Sequence, residues 1–228
     1  PQGVTRIGYY AFQYCYSLAS VVIPDGVTSI GIYAFSNCSS LASVVIPDSV
    51  TSIGDYAFQY CYSLISINLP DNMTNIGEYA FYHCNSLETI NLPNTLTHIG
   101  QRAFYSTKIK EICIPDKISI EPFHDINNLE NYSVRTTHSM YVSEDGILFN
   151  KKKNSLVAFP SGRAAIHYNV PNTIDSIAEY AFSPTNLVSV TVPQNVKFVD
   201  SYAFGSMLYV LFESNQPTKI QSNALYSP

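Results

Sequence analysis

The stretch LASVVIPDGVTSIGIYAFSNCSS, residues 18–40, decides the fold because the chain writes it repeatedly. Its Ala34-Phe35 pair returns at Ala11-Phe12, Ala57-Phe58, Ala80-Phe81 and Ala103-Phe104, a strict period of 23 residues. It returns again at Ala181-Phe182 and Ala203-Phe204, 22 residues apart, and decays to Ala224-Leu225. A proline keeps the same beat at Pro24, Pro47, Pro70 and Pro93, one residue early at Pro115, and later at Pro171 and Pro193. The unit has two halves. Val21 and Ile23 stand two apart, the strand period, and Pro24-Asp25 ends the strand in a turn. Ile30, Ala34, Phe35 and Cys38 follow at offsets of four, five and eight, which trace one face of a short helix or helical turn.

A lone coil of this length cannot fold. Ordering its backbone costs roughly 1–2 kcal/mol per residue, whereas each large apolar side chain it buries returns only ~1.5–3 kcal/mol. Stacked coils bury the apolar set from both sides and pair each short strand with the next, so the repeat predicts a parallel-stranded solenoid. The expected fold class is α/β, with a parallel sheet of about nine short strands, short helical turns on the other side and one inserted β-hairpin. Core-facing pairs run Val21/Ile23, Val44/Ile46, Ile67/Leu69, Ile90/Leu92, Ile112/Ile114, Tyr132/Val134, Tyr168/Val170 and Val190/Val192. A last pair, Leu211/Glu213, puts a carboxylate out of place. The chain reads as a single domain, 1–228, with a first repeat block at 1–134, a hairpin insertion at 135–165 and a second block at 166–228. The pattern starts in mid-unit, which predicts a longer chain extending upstream.

The insertion carries two turn signals, Glu144-Asp145-Gly146 and Lys151-Lys152-Lys153-Asn154, between apolar runs. It is expected as an antiparallel hairpin, two- or three-stranded, projecting from the solenoid. Its three lysines read as a solvated turn, with a weak anionic contact site as the alternative.

The chain has 228 residues, 46% hydrophobic and 13% charged, with 18 Tyr, 12 Phe and a formal charge of −5. Aromatic content this high excludes disorder, and the mild acidity argues against a nucleic-acid partner. No apolar run approaches the ~18 residues of a membrane span, so no membrane insertion is expected in this stretch. Cys15, Cys38, Cys61 and Cys84 share one position of the unit and should stack on consecutive rungs. A line of thiols is not a tetrahedron, which argues against a metal site. Buried thiols acting as small hydrophobes are the leading reading, and rung-to-rung disulfides the other. Thr107 stands near the same place one unit on, and Cys113 is expected exposed on a strand. A free exposed thiol is a mild argument against secretion.

Alternation puts one set of strand residues outward: Ser20, Val22, Ser43, Val45, Ser66, Asn68, Thr89, Asn91, Glu111, Asn131, Ser133, His167, Asn169, Ser189 and Thr191, then Val210 and Phe212. The first fifteen are the candidate binding face, polar, short and nearly uncharged. Asp25, Asp48, Asp71, Asn94 and Asp116 form a row where the strands end, either closing turns or collecting a cation. Tyr33, Tyr56 and Tyr79 precede the Ala-Phe pair and serve packing across coils or a partner surface. Asn37, Asn72 and Asn131 head glycosylation sequons. No nucleophile elbow, phosphate loop, dinucleotide fingerprint or zinc motif is present, so no catalytic, cofactor-binding or metal-binding residue is assigned and no enzyme activity is expected.

The unit Leu41-x-x-Val44-x-Ile46-Pro47-Asp48-x-Val50-Thr51-x-Ile53-Gly54-x-x-Ala57-Phe58-x-x-Cys61 resembles the BspA-like, or Treponema-type, leucine-rich repeat. The insertion from Glu144 to Gly162 is similar to a hairpin common in that family. The resemblance implies a leucine-rich repeat solenoid with strands on its concave side. It also implies a surface or secreted protein, extracellular, that binds a host or matrix protein or glycan and mediates adhesion. A structural spacer and an intracellular scaffold within a larger protein are the alternatives. No catalytic residue carries over.

Overall fold

The computed structural model describes residues 3–205, 207–213 and 219–225. It divides into two compact units, Pro1–Asn127 and Asn128–Pro228. In the first unit the coils stack as three columns of strands and turns. The first column contains the strands Ser20–Val22, Ser43–Val45, Ser66–Asn68, Thr89–Asn91 and Glu111–Ile114. Ser20–Val22 pairs in parallel with Ser43–Val45, and Ser66–Asn68 with Thr89–Asn91, each residue opposite its counterpart one period on. The second column is a parallel sheet of Arg6–Ile7, Ser29–Ile30, Ser52–Ile53, Asn75–Ile76 and His98–Ile99. The third is made of turns. There the N–H groups of Tyr33, Phe35 and Asn37 donate to the carbonyls of Asp55, Ala57 and Gln59 at 3.0, 2.8 and 2.7 Å.

These columns overturn the α/β expectation. The chain is an all-β parallel solenoid, and among the described residues its helix content is the single 3-10 turn Glu121–Phe123. The reason lies in Tyr33 and Asn37, whose φ angles of 56° and 63° are left-handed, as are those of Tyr56, Tyr60, Tyr79 and His83 in the next coils. A right-handed helix cannot pass through such residues. Alternate amides of the turns point at the neighbouring coil, and those of Ala34, Ser36 and Cys38 between them bond to residue i−3 rather than i−4. Ala34, Phe35 and Cys38 still point inward, each with 0% exposure, which is why their spacing mimics a helix face.

Close stacking depends on Gly77 and Gly100. A Cβ at Gly77 would stand 2.5 Å from the Asp55 nitrogen, and one at Gly100 would stand 2.3 Å from the Glu78 nitrogen. Inside, Phe35, Phe58, Phe81 and Phe104 are fully buried. Their rings stack in file at 5.3, 5.4 and 5.8 Å, within 5° of parallel, and Phe123 extends the file. One shared interior therefore takes Phe35, Phe58, Phe81 and Phe104, with Phe12 half-buried and stacked on Phe35.

In the second unit Tyr141–Glu144, Ile147–Asn150 and Ser155–Ala158 form an antiparallel meander. It does not project as expected. Ser155–Ala158 pairs in parallel with Ser176–Ile177, and the same sheet continues to Phe198–Val199 and Lys219–Ile220. Ile147, Phe149, Leu156 and Phe159 join Phe182 and Phe204 in the unit's core, so burial of these four ties the insertion down. A second sheet of the unit holds His167–Asn169, Ser189–Val192 and Tyr209–Phe212, parallel and in register, and Asn131–Val134 is a further strand. Here the Leu211/Glu213 assignment is corrected by one residue. Val190 pairs with Val210 and Val192 with Phe212, so Val210 and Phe212 turn toward the core while Leu211 is 61% exposed. The last coil is shorter than the repeat, and a one-residue slip exchanges the two faces of a strand.

Candidate functional site

The outward strand residues of the first unit, Ser20, Val22, Ser43, Val45, Ser66, Asn68, Thr89, Asn91 and Glu111, are all exposed. Burial of the residues between them, such as Val44 and Ile67, fixes this orientation. Register then lines like with like: Ser20 beside Ser43, Val22 beside Val45, Ser66 beside Thr89, Asn68 beside Asn91. Val22 and Val45 are 71% and 52% exposed, an apolar step in a polar array.

The second unit carries its own array on paired strands. His167 Nδ1 lies 2.7 Å from Ser189 Oγ, and Nε2 lies 2.8 Å from Asn169 Oδ1 and 3.2 Å from Thr191 Oγ1. His167 and Asn169 are exposed, whereas Ser189 and Thr191 are half-buried. Asn131 and Ser133 are not part of that sheet. They flank buried Tyr132, whose N–H donates to the Gly146 carbonyl at 2.9 Å, and Asn131 packs half-buried over Gly146. Burial pushes the Tyr132 phenol well above its ordinary pKa. Tyr209 and Leu211 were hidden by the register slip. They stand outward opposite Ser189 and Thr191, and the misplaced Glu213 carboxylate was the one signal of their position.

Cys38, Cys61 and Cys84 are free, buried thiols, and Cys15 and Cys113 are free and exposed. Each buried thiol donates to the phenylalanine carbonyl of the preceding coil: Cys38 to Phe12, Cys61 to Phe35 and Cys84 to Phe58, at 3.1, 3.2 and 3.1 Å. Burial raises the Cys38 pKa to about 11, with a smaller push from Cys15, and also holds Cys61 and Cys84 well above the ordinary thiol value. Thr107 is buried and donates to the Phe104 carbonyl at 2.9 Å.

The turn after each proline is closed by the backbone, with Val27, Val50, Met73, Leu96 and Ile118 N–H donating to the carbonyls of Pro24, Pro47, Pro70, Pro93 and Pro115. Asn94 and Asp116 instead bond across coils, at 2.9 Å side chain to side chain and 2.8 Å from the Asp116 N–H. The lysine turn is tied internally. Lys153 pairs with Glu144, and Lys151 donates to the Thr136 carbonyl at 3.1 Å. A groove of about 430 Å³ beside it is lined by Glu144, Phe149, Lys152, Lys153, Asn154, Pro171, Thr173 and Ile174. No helix of the described residues is long and apolar enough to cross a membrane.

Short parallel strands at a 23-residue register, an inward ladder of Leu, Ile and Phe, and a regular outward face define a leucine-rich repeat solenoid. The match to known families agrees: residues 5–136 and 155–227 fit the BspA type leucine rich repeat region. The chain belongs to that family. A solved leucine-rich cell surface protein from Faecalibacterium prausnitzii is 32% identical, with a TM-score of 0.75 over 95% of this chain and 59% of its own. A leucine-rich repeat protein from T. pallidum is also 32% identical, with a TM-score of 0.55 over 58% of this chain and 64% of its own. The pneumococcal vaccine antigen PcpA, 21% identical, shares the fold with a TM-score of 0.74 over 93% of this chain and 57% of its own. The chain thus spans less than two thirds of each of these structures. No curated protein matches it. The family's solenoid is a structural and binding scaffold, not a catalytic fold, of the kind found in surface adhesins and protein-binding modules.

Proposed function

We propose that this chain is an adhesion module displayed outside the cell, recognising a host or matrix protein or a glycan through its outward strand residues. The observation that carries this reading is the registered array of mostly short polar side chains on paired strands, Ser20 to Asn91 in one unit and His167, Asn169, Ser189 and Thr191 in the other. Short side chains already held by a sheet lose little rotamer freedom on binding. Their amides and hydroxyls match neutral partners, such as peptide groups or sugar hydroxyls, better than ionic ones. The extracellular location is supported by the likeness to the F. prausnitzii cell surface protein.

Asn68→Arg with Asn91→Arg tests it, because both side chains are exposed and adjacent. Binding to immobilised matrix proteins or a glycan panel should weaken by about tenfold or more, the loss of one good contact. The melting temperature should fall only slightly, because both positions are exposed and the two arginines, in register, repel each other through solvent. Unchanged binding by the double variant would show that another surface carries recognition.

A further inference from the structure

The turn column carries a second ladder, outside the core. Tyr10, Tyr33, Tyr56 and Tyr79 each precede an Ala-Phe pair with φ between 54° and 58°. Their rings stack in file with centroids 5.1, 4.6 and 4.9 Å apart and planes within 8° of parallel. Tyr180 and Tyr202 repeat the arrangement in the second unit, at 5.2 Å and 8°. The site is reachable: Tyr10 is exposed and the other five are half-buried. Packing alone does not demand a phenol there, because Arg102 takes the same position in the next coil and engages Asp125 and Tyr79. Burial and then neighbouring phenols raise the pKa of Tyr33 and Tyr56, so these two rings are protonated and uncharged at neutral pH.

We propose that this file is an oxidative cross-linking site, where Tyr33 and Tyr56 couple ring to ring into a dityrosine bridge between adjacent coils. A one-electron oxidant of the activated-peroxide class removes one electron from each phenol, and each phenolic proton leaves to water. The two phenoxyl radicals pair their odd electrons in a carbon–carbon bond between ortho positions. Each coupled ring then moves its ortho hydrogen to oxygen and regains aromaticity. The two electrons and two protons released reduce one hydrogen peroxide to two waters. Proximity makes the site selective, because a pair already held in contact reacts as one molecule rather than by encounter. Tyr33 and Tyr56 form the tightest pair of the file. Outside the file Tyr82 and Tyr105 also stack, at 5.0 Å and 16°, farther apart than Tyr33 and Tyr56, whereas Tyr14–Tyr16 and Tyr60–Tyr62 are tilted by 47° and 46° at 5.9 and 5.8 Å.

The test treats the intact chain with a haem peroxidase and hydrogen peroxide, followed by dityrosine fluorescence and peptide mapping. Cleavage at Asp48 separates Tyr33 and Tyr56, and cleavage at Asp200 separates Tyr180 and Tyr202. The expected product is monomeric, with peptides joined at Tyr33–Tyr56 and at Tyr180–Tyr202. Tyr56→Phe keeps an aromatic ring in the stack but removes the phenol. It should abolish the first cross-link and leave the second as an internal control of folding. Absence of dityrosine, cross-links confined to Tyr9, Tyr16 or Tyr62, or products only between molecules would overturn the proposal.

Discussion

Removing one ring from the buried file, by Phe58→Ala, probes the stacking of coils. Phe58 has 0% exposure and lies between Phe35 at 5.3 Å and Phe81 at 5.4 Å, so no solvent-side collapse can refill its place. Truncating a buried phenylalanine costs about 3–5 kcal/mol, a range that includes the lost ring contacts. That is a large share of the roughly 5–15 kcal/mol that holds a typical domain folded. In urea, with a slope of roughly 1–3 kcal/mol/M, the midpoint should fall by on the order of 1–5 M. Circular dichroism of the β signal follows the transition. Phe12→Ala is the matched control. Phe12 is half-buried and has a stacked neighbour in Phe35 alone, so its loss should cost only about 1–2 kcal/mol. If the two variants are equally stable, or Phe58→Ala loses less than about 1 kcal/mol, the phenylalanines do not share an interior and the reasoning fails.

Other consequences are as direct. Gly77→Ala places a Cβ 2.5 Å from the Asp55 nitrogen and should cost more than ~2 kcal/mol in thermal melts, whereas Gly8→Ala, with nothing within 4 Å, should be nearly neutral. A thiol reagent on the native chain should label Cys15 and Cys113 and reach Cys38, Cys61 and Cys84 only after unfolding. The same three thiols make stability pH-dependent. Their folded pKa values lie above the ordinary 9.0, so the native state holds more protons than the unfolded chain from that pH upward. Their contribution is whole below pH 9 and is lost as pH rises through the folded values. Replacing all three with alanine should flatten this alkaline slope in urea titrations.

The strands were legible because Ile67 and Ile90 alternate with polar neighbours, and a sheet with one buried face leaves that trace in sequence. The turn column was not. Ile30, Ala34, Phe35 and Cys38 point inward at helical offsets, and the left-handed φ of Tyr33 leaves no mark in residue type. Glycine or asparagine would have signalled it, and in the first unit's turns only Asn37 does. Gly31 and its counterparts were visible as a repeat, but their reason, the close approach of the preceding coil, needed three dimensions. On the candidate face, Ser20 to Asn91 followed from alternation alone. The outward Tyr209 and Leu211 did not, since a shortened coil breaks the count by which the pattern is read.

Amide hydrogen exchange at Phe35, Phe58 and Phe81 tests the solenoid most directly. Their N–H groups each donate at 2.8 Å to the next coil, to the carbonyls of Ala57, Ala80 and Ala103. Three such amides inside a stacked core should exchange slowly and together, at rates set by opening of the whole unit. Exchange of all three at the rate of an open chain would mean that neighbouring turns are not bonded to one another.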